Sequence, residues 1–442
     1  MENLYKNHYH LEPPRGLLND PNGLTYFQGN YYVFHQWNRF DLNHSYKEWG
    51  LFTSKDLLRW KHQGSALLPD SDKDLSGVYS GTAIVIEDKM HLFYTGNSKI
   101  DGSRRSLQCQ AISEDGKTFQ KSNSFIMTPE EFTEHHRDPK IWSDQNGYHM
   151  IVGSQTKYGH GAIAYYQSID CKEWDYQGIF YTSEDLEQMA ECPDYFELDG
   201  ESLLLVCPQQ RDLESDTDIS SYSAYYMGCL RDNEFYPKTK IQPMDDGFDF
   251  YAPQTFLDPK GRRLMWAWMS RMNSNEEVTC PTIDFGYLHC LTMPRELRVI
   301  DGKLYQLPLQ EILERRILIE SLETVRYESE ELATQSVIDM TWSNSPSSFE
   351  LVFFDQNVTL EYKHQKLLLS RISWSDTQVH TKTVPLKELK ALQIFIDSSA
   401  MELFINKGEK AMSLRYFLKQ EKRSCDIRSS HQMNLSYSKL ES

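Results

Sequence analysis

The sequence predicts an all-β protein, a five-bladed β-propeller followed by a C-terminal β-sandwich. Aromatic residues make up 13% of its 442 positions, and aromatic side chains are enriched in strands. A turn followed by a strand recurs at a nearly constant spacing through the first two thirds of the chain, which is the mark of a repeat architecture. Beyond that region alternating strands continue without the spacing, as expected for a second domain.

The repeat begins with a turn dipeptide that precedes each strand-like run. The dipeptides are Gly29-Asn30, Asp88-Lys89, Asn146-Gly147, Asp199-Gly200 and Lys260-Gly261. The steps between them are 59, 58, 53 and 61 residues. A second pattern shares this period: Ser-x-Asp followed by an aromatic residue, as in Ser54, Asp56 and Trp60. Five such units fit the blade numbers of propellers, with the aromatic anchoring an outer strand to the next sheet.

The period ends near residue 304, so we assign residues 1–304 to the propeller. The stretch LPLQEILERRILIESLETV is amphipathic and predicts a helical connector over 305–324. Residues 325–442 contain short alternating strands such as MELFIN and predict the β-sandwich. This domain contains no cluster of candidate catalytic residues, so a structural role or an oligomer contact is expected for it.

Composition excludes several classes of function. The formal net charge of −18 argues against binding to nucleic acid or to anionic membranes. No apolar run approaches the ~18 residues of a membrane span, and the first residues do not resemble a signal peptide. The eight cysteines form no C-x-x-C pair and suggest reduced thiols. We therefore expect a cytoplasmic protein with a small-molecule substrate, without cofactor or metal, and with a homodimer as an open option.

Carboxylates fall at one register of the repeat. Counting back eight or nine residues from the five dipeptides gives Asp20, Ser80, Asp138, Glu191 and Ala252. Equivalent positions of a propeller lie at equal radii around its axis. The sequence therefore predicts that Asp20, Asp138 and Glu191 converge at one end of the central channel.

Two chemistries suit a carboxylate-lined channel. A calcium site would use oxygen ligands, but the D-x-D-x-D-G loop is absent. Glycoside hydrolysis needs one carboxylic acid and one carboxylate on either side of the anomeric carbon. Aromatic and amide side chains that suit a sugar ring are also present near these positions, and for two of them, Trp37 and Trp266, a place in the core is preferred. The set is Gln36, Trp37, Trp49, Tyr79, Tyr251, Trp266 and Trp268.

These motifs resemble those of glycoside hydrolase family 32, the invertases and fructanases, and within it the bacterial members that act on sucrose 6-phosphate. The matching motifs are Asn-Asp-Pro-Asn-Gly at 19–23, Arg-Asp-Pro at 137–139 and Glu-Cys at 191–192. HQWNRF (35–40), YSGTA (79–83), FDFYAPQTF (248–256) and MPREL (293–297) also match. The matches run in order across nearly the whole chain.

The resemblance implies a retaining β-fructofuranosidase. Asp20 would be the nucleophile, Glu191 the acid and then the base, and Asp138 the stabiliser of the transition state. Burial and negative neighbours should then raise the pKa of Glu191. Asp20 should be kept ionised by donors such as Asn19, and Arg137 should keep Asp138 charged.

The resemblance also implies the substrate contacts. They are Leu17, Leu18, Asn19, Gln36, His44, Trp49, Tyr79, Ser80, Arg137, Tyr251 and Trp268. His44 stands where several secreted invertases carry tryptophan, which suits a more polar leaving group. Candidate phosphate contacts are His44, Lys47, Arg104 and Arg105. The expected substrate is sucrose 6-phosphate, and also sucrose. A hydrolase of short fructo-oligosaccharides and an inactive sugar-binding propeller stay open as alternatives.

Overall fold

The computed structural model describes residues 3–212, 218–419 and 422–441. The chain forms two compact units that depart from the predicted boundaries. The first unit contains Gly16–Met244 and Tyr251–Trp268, and the second contains Met1–Arg15, Asp245–Phe250 and Met269–Ser442. The predicted propeller range of 1–304 was drawn from spacing alone, which does not reveal that the N-terminal segment packs with residues near 400.

The first unit is a five-bladed β-propeller of antiparallel sheets, which confirms the predicted repeat. Blade one contains β1 (Gly16–Phe27), β2 (Asn30–Asn38), β3 (Glu48–Ser54) and β4 (Lys61–Leu67). Blade two contains β5 (Gly77–Ile86), β6 (Lys89–Ile100), β7 (Ser103–Ser113) and β8 (Gln120–Met127). Blade three contains β9 (Phe132–Asp144), β10 (Gly147–Thr156), β11 (Gly161–Ser168) and β12 (Asp175–Thr182).

Blade four follows a 3-10 turn at Glu184–Leu186. It contains β13 (Met189–Leu198), β14 (Glu201–Arg211), β15 (Asp218–Ser221), β16 (Ala224–Arg231), β17 (Glu234–Pro237) and β18 (Gln242–Pro243). Blade five begins with the hairpin of β19 (Tyr251–Leu257) and β20 (Arg263–Met269). The innermost strands close a ring, because β1 adjoins β5 and β19, β9 adjoins β5 and β13, and β13 adjoins β19.

The Ser-x-Asp motif forms the same turn in three blades. Ser54 donates its hydroxyl to Asp56 at 3.1 Å, and the pairs at 113/115 and 168/170 repeat the contact at 3.2 and 3.1 Å. The aromatic residue after each motif packs edge-to-face on a ring of the preceding blade. The three pairs are Trp60 on Trp266, Phe119 on Phe34 and Trp174 on Phe93. The aromatic of each motif therefore joins neighbouring blades, but it packs on the preceding blade and not, as was predicted, on the next one.

The second unit is the β-sandwich. Its short elements are α1 (Ser274–Val278), 3-10 turns at Pro281–Phe285 and Asn406–Gly408, β21 (Tyr287–Leu288), β22 (Cys290–Leu291), the hairpin β23 (Arg295–Ile300) and β24 (Lys303–Pro308), and α2 (Gln310–Leu313). The sandwich strands are β25 (Arg316–Ser329), β26 (Ser336–Thr341), β27 (Ser348–Phe353), β28 (Val358–Lys363), β29 (Lys366–Ile372), β30 (Val379–Pro385), β31 (Ala391–Ile396), β32 (Ala400–Ile405), β33 (Lys410–Arg415) and β34 (Cys425–Leu440). They pair in the order β30-β29-β28-β27-β34-β26-β31-β32-β33, with β25 beside β34.

The helical connector predicted over 305–324 is wrong. The structure has only the four residues of α2 in helical form there, and β25 follows at once. Strand β25 pairs with β34 along its length, so backbone hydrogen bonds to a distant strand fix this segment. Ile317, Leu318 and Ile319 are 42%, 60% and 53% exposed, so three consecutive apolar residues of the predicted helix are not buried.

A buried ionic network lies in the second unit. His10 is enclosed between two carboxylates, with Nδ1 3.0 Å from Asp397 and Nε2 3.0 Å from Glu402. Burial opposes protonation of His10, but the two carboxylates outweigh it and raise its pKa to about 9. Glu402 also accepts from the guanidinium of Arg295. The network fixes the N-terminal segment to the sandwich strands. Among the described residues, no helix has the length and apolar character needed to cross a membrane.

Candidate active site

All five inner strands carry a β-bulge at the same level. At each bulge two residues of the inner strand face one residue of its partner strand, which is the geometry that re-aims side chains beside active sites. The bulge pairs are Asn19 and Asp20, Tyr79 and Ser80, Asp138 and Pro139, Cys192 and Pro193, and Ala252 and Pro253. The predicted site residues therefore come from one ring of local irregularities.

The bulges correct the predicted register by one residue in three blades, because Asp20 and Ser80 are the second residues of their bulges, whereas Glu191 precedes its own. Asp138, Cys192 and Ala252 are equivalent, because each is the first bulge residue and has a left-handed φ of 66°, 48° or 50°. Glu191 stands one position earlier, where blades three and five carry Arg137 and Tyr251. Counting from turn dipeptides locates the ring, but it cannot resolve single positions because the strands differ in length.

Asp20 is held by two neutral donors. Asn19 donates to its Oδ1 at 3.0 Å, and the Ser80 hydroxyl donates to its Oδ2 at 2.7 Å. The ammonium group of Lys47 in turn donates a hydrogen bond to Oδ1 of Asn19 at 2.5 Å. The side chain of Asp20 is partly exposed. Hydrogen bonds to both oxygens fix the orientation of the side chain, so the arrangement presents an accessible carboxyl group.

Glu191 is also held at both oxygens. Arg137 donates to Oε1 from Nε at 3.2 Å and from Nη2 at 2.7 Å, and the Tyr251 phenol donates to Oε2 at 2.5 Å. The predicted effect of Arg137 on Asp138 is present but does not prevail: the two form an ion pair at 4.0 Å between Nε and Oδ2 without a hydrogen bond, and burial raises the pKa of Asp138 in spite of it. Arg137 and Tyr251, which were predicted to contact substrate, therefore orient Glu191.

Asp138 is the most enclosed of the three carboxyl groups, with 6% of its side chain exposed. Its Oδ2 accepts the backbone N–H of Cys192 at 3.0 Å. Burial raises the pKa of Asp138 to about 7; the charge of Arg137 opposes this shift, whereas Glu191 and Asp20 add to it. The three carboxyl groups are thus electrostatically coupled, and their coupling contributes to the raised pKa of Asp138.

Thr95 belongs to the site although sequence reasoning missed it. It is the residue opposite the bulge of blade two, and its hydroxyl accepts the backbone N–H of Asp138 at 3.0 Å. The same hydroxyl donates to Gln108 at 2.7 Å. The detectable signal would be its place opposite Tyr79 and Ser80, which becomes visible only when the strands are paired.

Several predicted contacts lie at the rim of the site. Lys47 donates to Nδ1 of the exposed His44 at 2.9 Å. The His44 ring packs edge-to-face on Trp268 at 6.0 Å, and Tyr251 packs on the same indole at 6.3 Å. Trp268 thus connects the rim to the phenol that holds Glu191.

Arg104 and Arg105 point to different surroundings. The Arg104 guanidinium lies over the ring of Tyr79 at 5.4 Å. That of Arg105 lies over Phe125, on the outer strand β8, at 5.5 Å. Only Arg104 therefore belongs to the site among these two candidate phosphate contacts.

Four predicted substrate contacts are enclosed by protein. Leu17, Leu18 and Trp49 have no exposed surface, and Gln36 is 2% exposed. Trp49 donates its indole N–H to the carbonyl of Tyr79 at 3.0 Å, and Gln36 donates to that of Val78 at 2.9 Å. The structure therefore gives these residues a supporting position beneath the bulges instead of a contact surface. Trp37 and Trp266, which were preferred as core residues, are buried.

Comparison with known proteins agrees with this geometry. A model of the glycosyl hydrolases family 32 N-terminal domain matches residues 10–308. The chain is 36% identical over 435 residues to sucrose-6-phosphate hydrolase of Bacillus subtilis, covering 93% of this chain and 89% of that protein. It is 35% identical over 438 residues to the enzyme of the same name from Salmonella typhimurium, covering 94% and 90%.

Solved structures show the same architecture over the whole chain. Sucrose-6-phosphate hydrolase from Lactobacillus gasseri superposes with a TM-score of 0.88 at 29% identity, covering 99% of this chain and 94% of that one. A family 32 β-fructofuranosidase from Bombyx mori superposes with a TM-score of 0.85 at 26% identity, covering 100% and 95%. Similarity in both comparisons extends well beyond the three motifs.

Proposed function

Because the chain belongs to glycosyl hydrolase family 32, and is thus a glycoside hydrolase, we propose that it is a retaining β-fructofuranosidase that hydrolyses sucrose 6-phosphate and also sucrose. The observation that supports the proposal is the ring of bulges, since Asp20 and Asp138 are bulge residues, Glu191 directly precedes a bulge, and each has different hydrogen-bond partners. A pair of carboxyl groups in unlike environments is what glycoside hydrolysis with retention requires.

Asp20 is the nucleophile in this mechanism. Its carboxylate attacks the anomeric carbon of the fructosyl unit, so that a bond from that carbon to Asp20 forms while the bond to the glucosyl oxygen breaks. Asn19 and Ser80 hold the carboxylate in place, which lowers the cost of orienting it for attack. For this double displacement we expect the carboxyl groups of Asp20 and Glu191 to be ~5–5.5 Å apart.

Glu191 transfers the protons. It protonates the departing glucosyl oxygen and becomes a carboxylate, which then takes a proton from the water that releases fructose from Asp20. Arg137 and Tyr251 donate to its two oxygens and thereby stabilise the carboxylate between the two steps. They also hold the Glu191 carboxyl group in the orientation from which it transfers the proton.

Asp138 holds the fructosyl hydroxyls. Its buried carboxyl group faces the charges of Asp20 and Glu191. A hydrogen bond donated by a neutral sugar hydroxyl stabilises the negative charge of Asp138 in this environment. Hydrogen bonds made in a water-poor site of this kind strengthen as positive charge develops on the sugar ring. Asp138 thus contributes to stabilisation of the transition state without forming a bond.

The phosphorylated substrate is supported by the relatives and by local charge. Several relatives that the chain matches over more than 90% of its length are sucrose-6-phosphate hydrolases. The chain as a whole is strongly acidic, yet Lys47 and Arg104 lie beside the bulges. All eight cysteines are unpaired, which suits a reducing compartment, and we propose the cytoplasm as its location.

Kinetics on three fructosides test this proposal. We expect kcat/KM to be highest for sucrose 6-phosphate, lower for sucrose and lowest for kestose. Asp20→Ala should abolish fructose release from all of them. Glu191→Gln should lose most activity on sucrose but less on an activated fructoside whose leaving group needs no proton. Equal losses on both substrates would remove Glu191 from the acid role, and undiminished release by Asp20→Ala would refute the mechanism.

A further inference from the structure

We propose that Arg104 binds the phosphate group of the substrate and so determines the preference for sucrose 6-phosphate over sucrose, an inference that rests on the proposed function. The sequence offers four candidates for this task, which are His44, Lys47, Arg104 and Arg105. The structure separates them by what each side chain already contacts, and Arg104 is the candidate whose Nε and Nη2 have no hydrogen-bond partner among the described residues.

The strand geometry first separates the two arginines. Arg104 and Arg105 are consecutive residues of β7, opposite Lys99 and Ser98 of β6. Consecutive side chains of a strand point to opposite faces of the sheet. One guanidinium therefore lies over Tyr79 at 5.4 Å, and the other over Phe125 at 5.5 Å. Tyr79 is a bulge residue next to Ser80, which holds Asp20, so only Arg104 faces the reaction centre.

The two candidates at the rim, Lys47 and His44, already have partners. The Lys47 ammonium donates to Asn19 and to His44, and its contact with Asn19 supports the nucleophile. His44 accepts that hydrogen bond at Nδ1 and packs on Trp268. These two residues bound the pocket, but moving Lys47 to a phosphate would withdraw a donor from Asn19.

Arg104 has unused donors. Its Nε and Nη2 are buried, and within the described part of the chain they have no hydrogen-bond partner. An enclosed donor without a partner is costly, more so when it carries a charge. Nε and one Nη of a guanidinium form the planar fork that binds two oxygens of a phosphate at once. A phosphate at this position would satisfy both donors.

The position also agrees with the chemistry of the substrate. Burial lowers the pKa of Arg104, the charge of Arg137 adds to this effect, and the charges of Asp138 and Glu191 oppose it. Arg104 is therefore within electrostatic reach of the acid Glu191, which protonates the leaving glucosyl oxygen. The phosphate of sucrose 6-phosphate is carried by that glucosyl group, on the same side of the scissile bond.

The test compares Arg104→Gln and Arg104→Lys with Arg105→Gln as the matched control. A charge-assisted hydrogen bond contributes enough that Arg104→Gln should lower kcat/KM for sucrose 6-phosphate about 30- to 100-fold more than kcat/KM for sucrose. Arg104→Lys should recover part of the loss, because an ammonium attracts phosphate as a point charge without the fork. Arg105→Gln should leave the ratio of the two kcat/KM values unchanged. Inhibition by glucose 6-phosphate should weaken in parallel.

Each other outcome contradicts a distinct statement. Equal losses on both substrates would mean that Arg104 acts on the catalytic carboxylates and does not bind phosphate. A preference that survives Arg104→Gln, or that collapses in Arg105→Gln, would overturn the assignment while leaving the proposed function intact. A wild-type enzyme without preference for sucrose 6-phosphate would refute the proposed substrate itself. Thermal unfolding of each variant shows whether it is folded. If Arg104→Gln does not fold, Arg104→Lys provides the comparison of the two substrates.

Discussion

The phenol of Tyr251 donates to Oε2 of Glu191 at 2.5 Å, on the oxygen that Arg137 leaves free. These two donors come from positions equivalent to that of Glu191 itself, in the two neighbouring blades. The carboxyl group is thus clamped by its own structural counterparts. Because the two donors lie on strands that also close the propeller ring, the fold itself fixes the orientation of the Glu191 carboxyl group.

Tyr251→Phe should lower kcat on sucrose and sucrose 6-phosphate by about tenfold to a hundredfold, while KM changes little. The variant removes one donor from the carboxylate that forms during the reaction, and hydrogen bonds to charged groups contribute about 1.5–3 kcal/mol. Steady-state kinetics measure the effect. Tyr195→Phe is the control, since its hydroxyl donates to Ser202 at 3.3 Å, away from the carboxylates. A change in KM alone would assign Tyr251 to substrate binding.

Gly153→Ala should reduce activity by displacing the strand that carries Glu191. A methyl group on Gly153 would stand 2.1 Å from the carbonyl oxygen of Ala190, the residue before Glu191. Overpacking of this kind costs about 1–3 kcal/mol, and small displacements of a catalytic group cost rate. The control is Gly159→Ala in the same blade, where no atom lies within 4 Å and only a φ of +79° opposes the side chain. Kinetics and thermal unfolding of both variants would show the contrast, and equal activities would contradict it.

Asp138→Asn should abolish most activity yet stabilise the unliganded protein. Burial raises the pKa of Asp138 from its ordinary value of 3.8 to about 7. Its contribution to stability is therefore fully present below pH 3.8 and is lost as the pH rises through 7. An amide does not ionise, so at about 1.4 kcal/mol per tenfold change in an ionisation constant the gain should reach roughly 2–4 kcal/mol at pH 8.

Urea unfolding of wild type and Asp138→Asn at pH 5 and pH 8 checks this expectation. The difference between the two proteins should be larger at pH 8. A difference that is constant with pH would mean that the carboxyl group titrates at its ordinary value in the folded protein.

His10→Gln should destabilise the sandwich by about 3–5 kcal/mol at pH 7, because it leaves Asp397 and Glu402 buried without their cation. The raised pKa of His10, about 9 instead of 6.5, means that its stabilising contribution is complete below pH 6.5 and is lost as the pH rises through 9. The free energy of unfolding should thus fall between pH 7 and pH 10 in the wild type more than in the variant.

His8→Gln is the matched control for this carboxylate. Its imidazole also contacts Asp397, at 3.3 Å, but it is 48% exposed, and exposed pairs contribute about 1 kcal/mol or less. Equal destabilisation by the two variants would contradict the special place of His10. Urea unfolding followed by tryptophan fluorescence measures both.

The repeat was predictable because it is local. Turn dipeptides such as Asn146-Gly147 and the Ser-x-Asp turns act within a few residues, and the five blades follow from their spacing. The register that singles out the three carboxylates is local for the same reason. The hydrogen-bond partner of Arg137 could not be predicted in this way. Adjacency in sequence favoured Asp138, whereas the guanidinium donates to Glu191, 54 positions away.

Long-range pairing explains the remaining differences. Strand β25 was predicted as helix because its apolar spacing suits one, yet its backbone pairs with β34, whose residues lie 96 to 124 positions further along the chain. The contact of His10 with Asp397 joins residues 387 positions apart. No periodicity within a short window contains such information, and so neither the network nor the true unit boundaries could be derived from local patterns.

The five equivalent bulges make the propeller a scaffold with an unused position. Four bulges carry a polar or ionisable side chain, whereas Ala252 and Pro253 supply only apolar groups. Ala252 has a left-handed φ of 50°, a conformation in which asparagine and aspartate are several-fold enriched. An engineered amide or carboxylate at Ala252 would suit the local backbone, and because this position is fully buried, the new group would also need a hydrogen-bond partner.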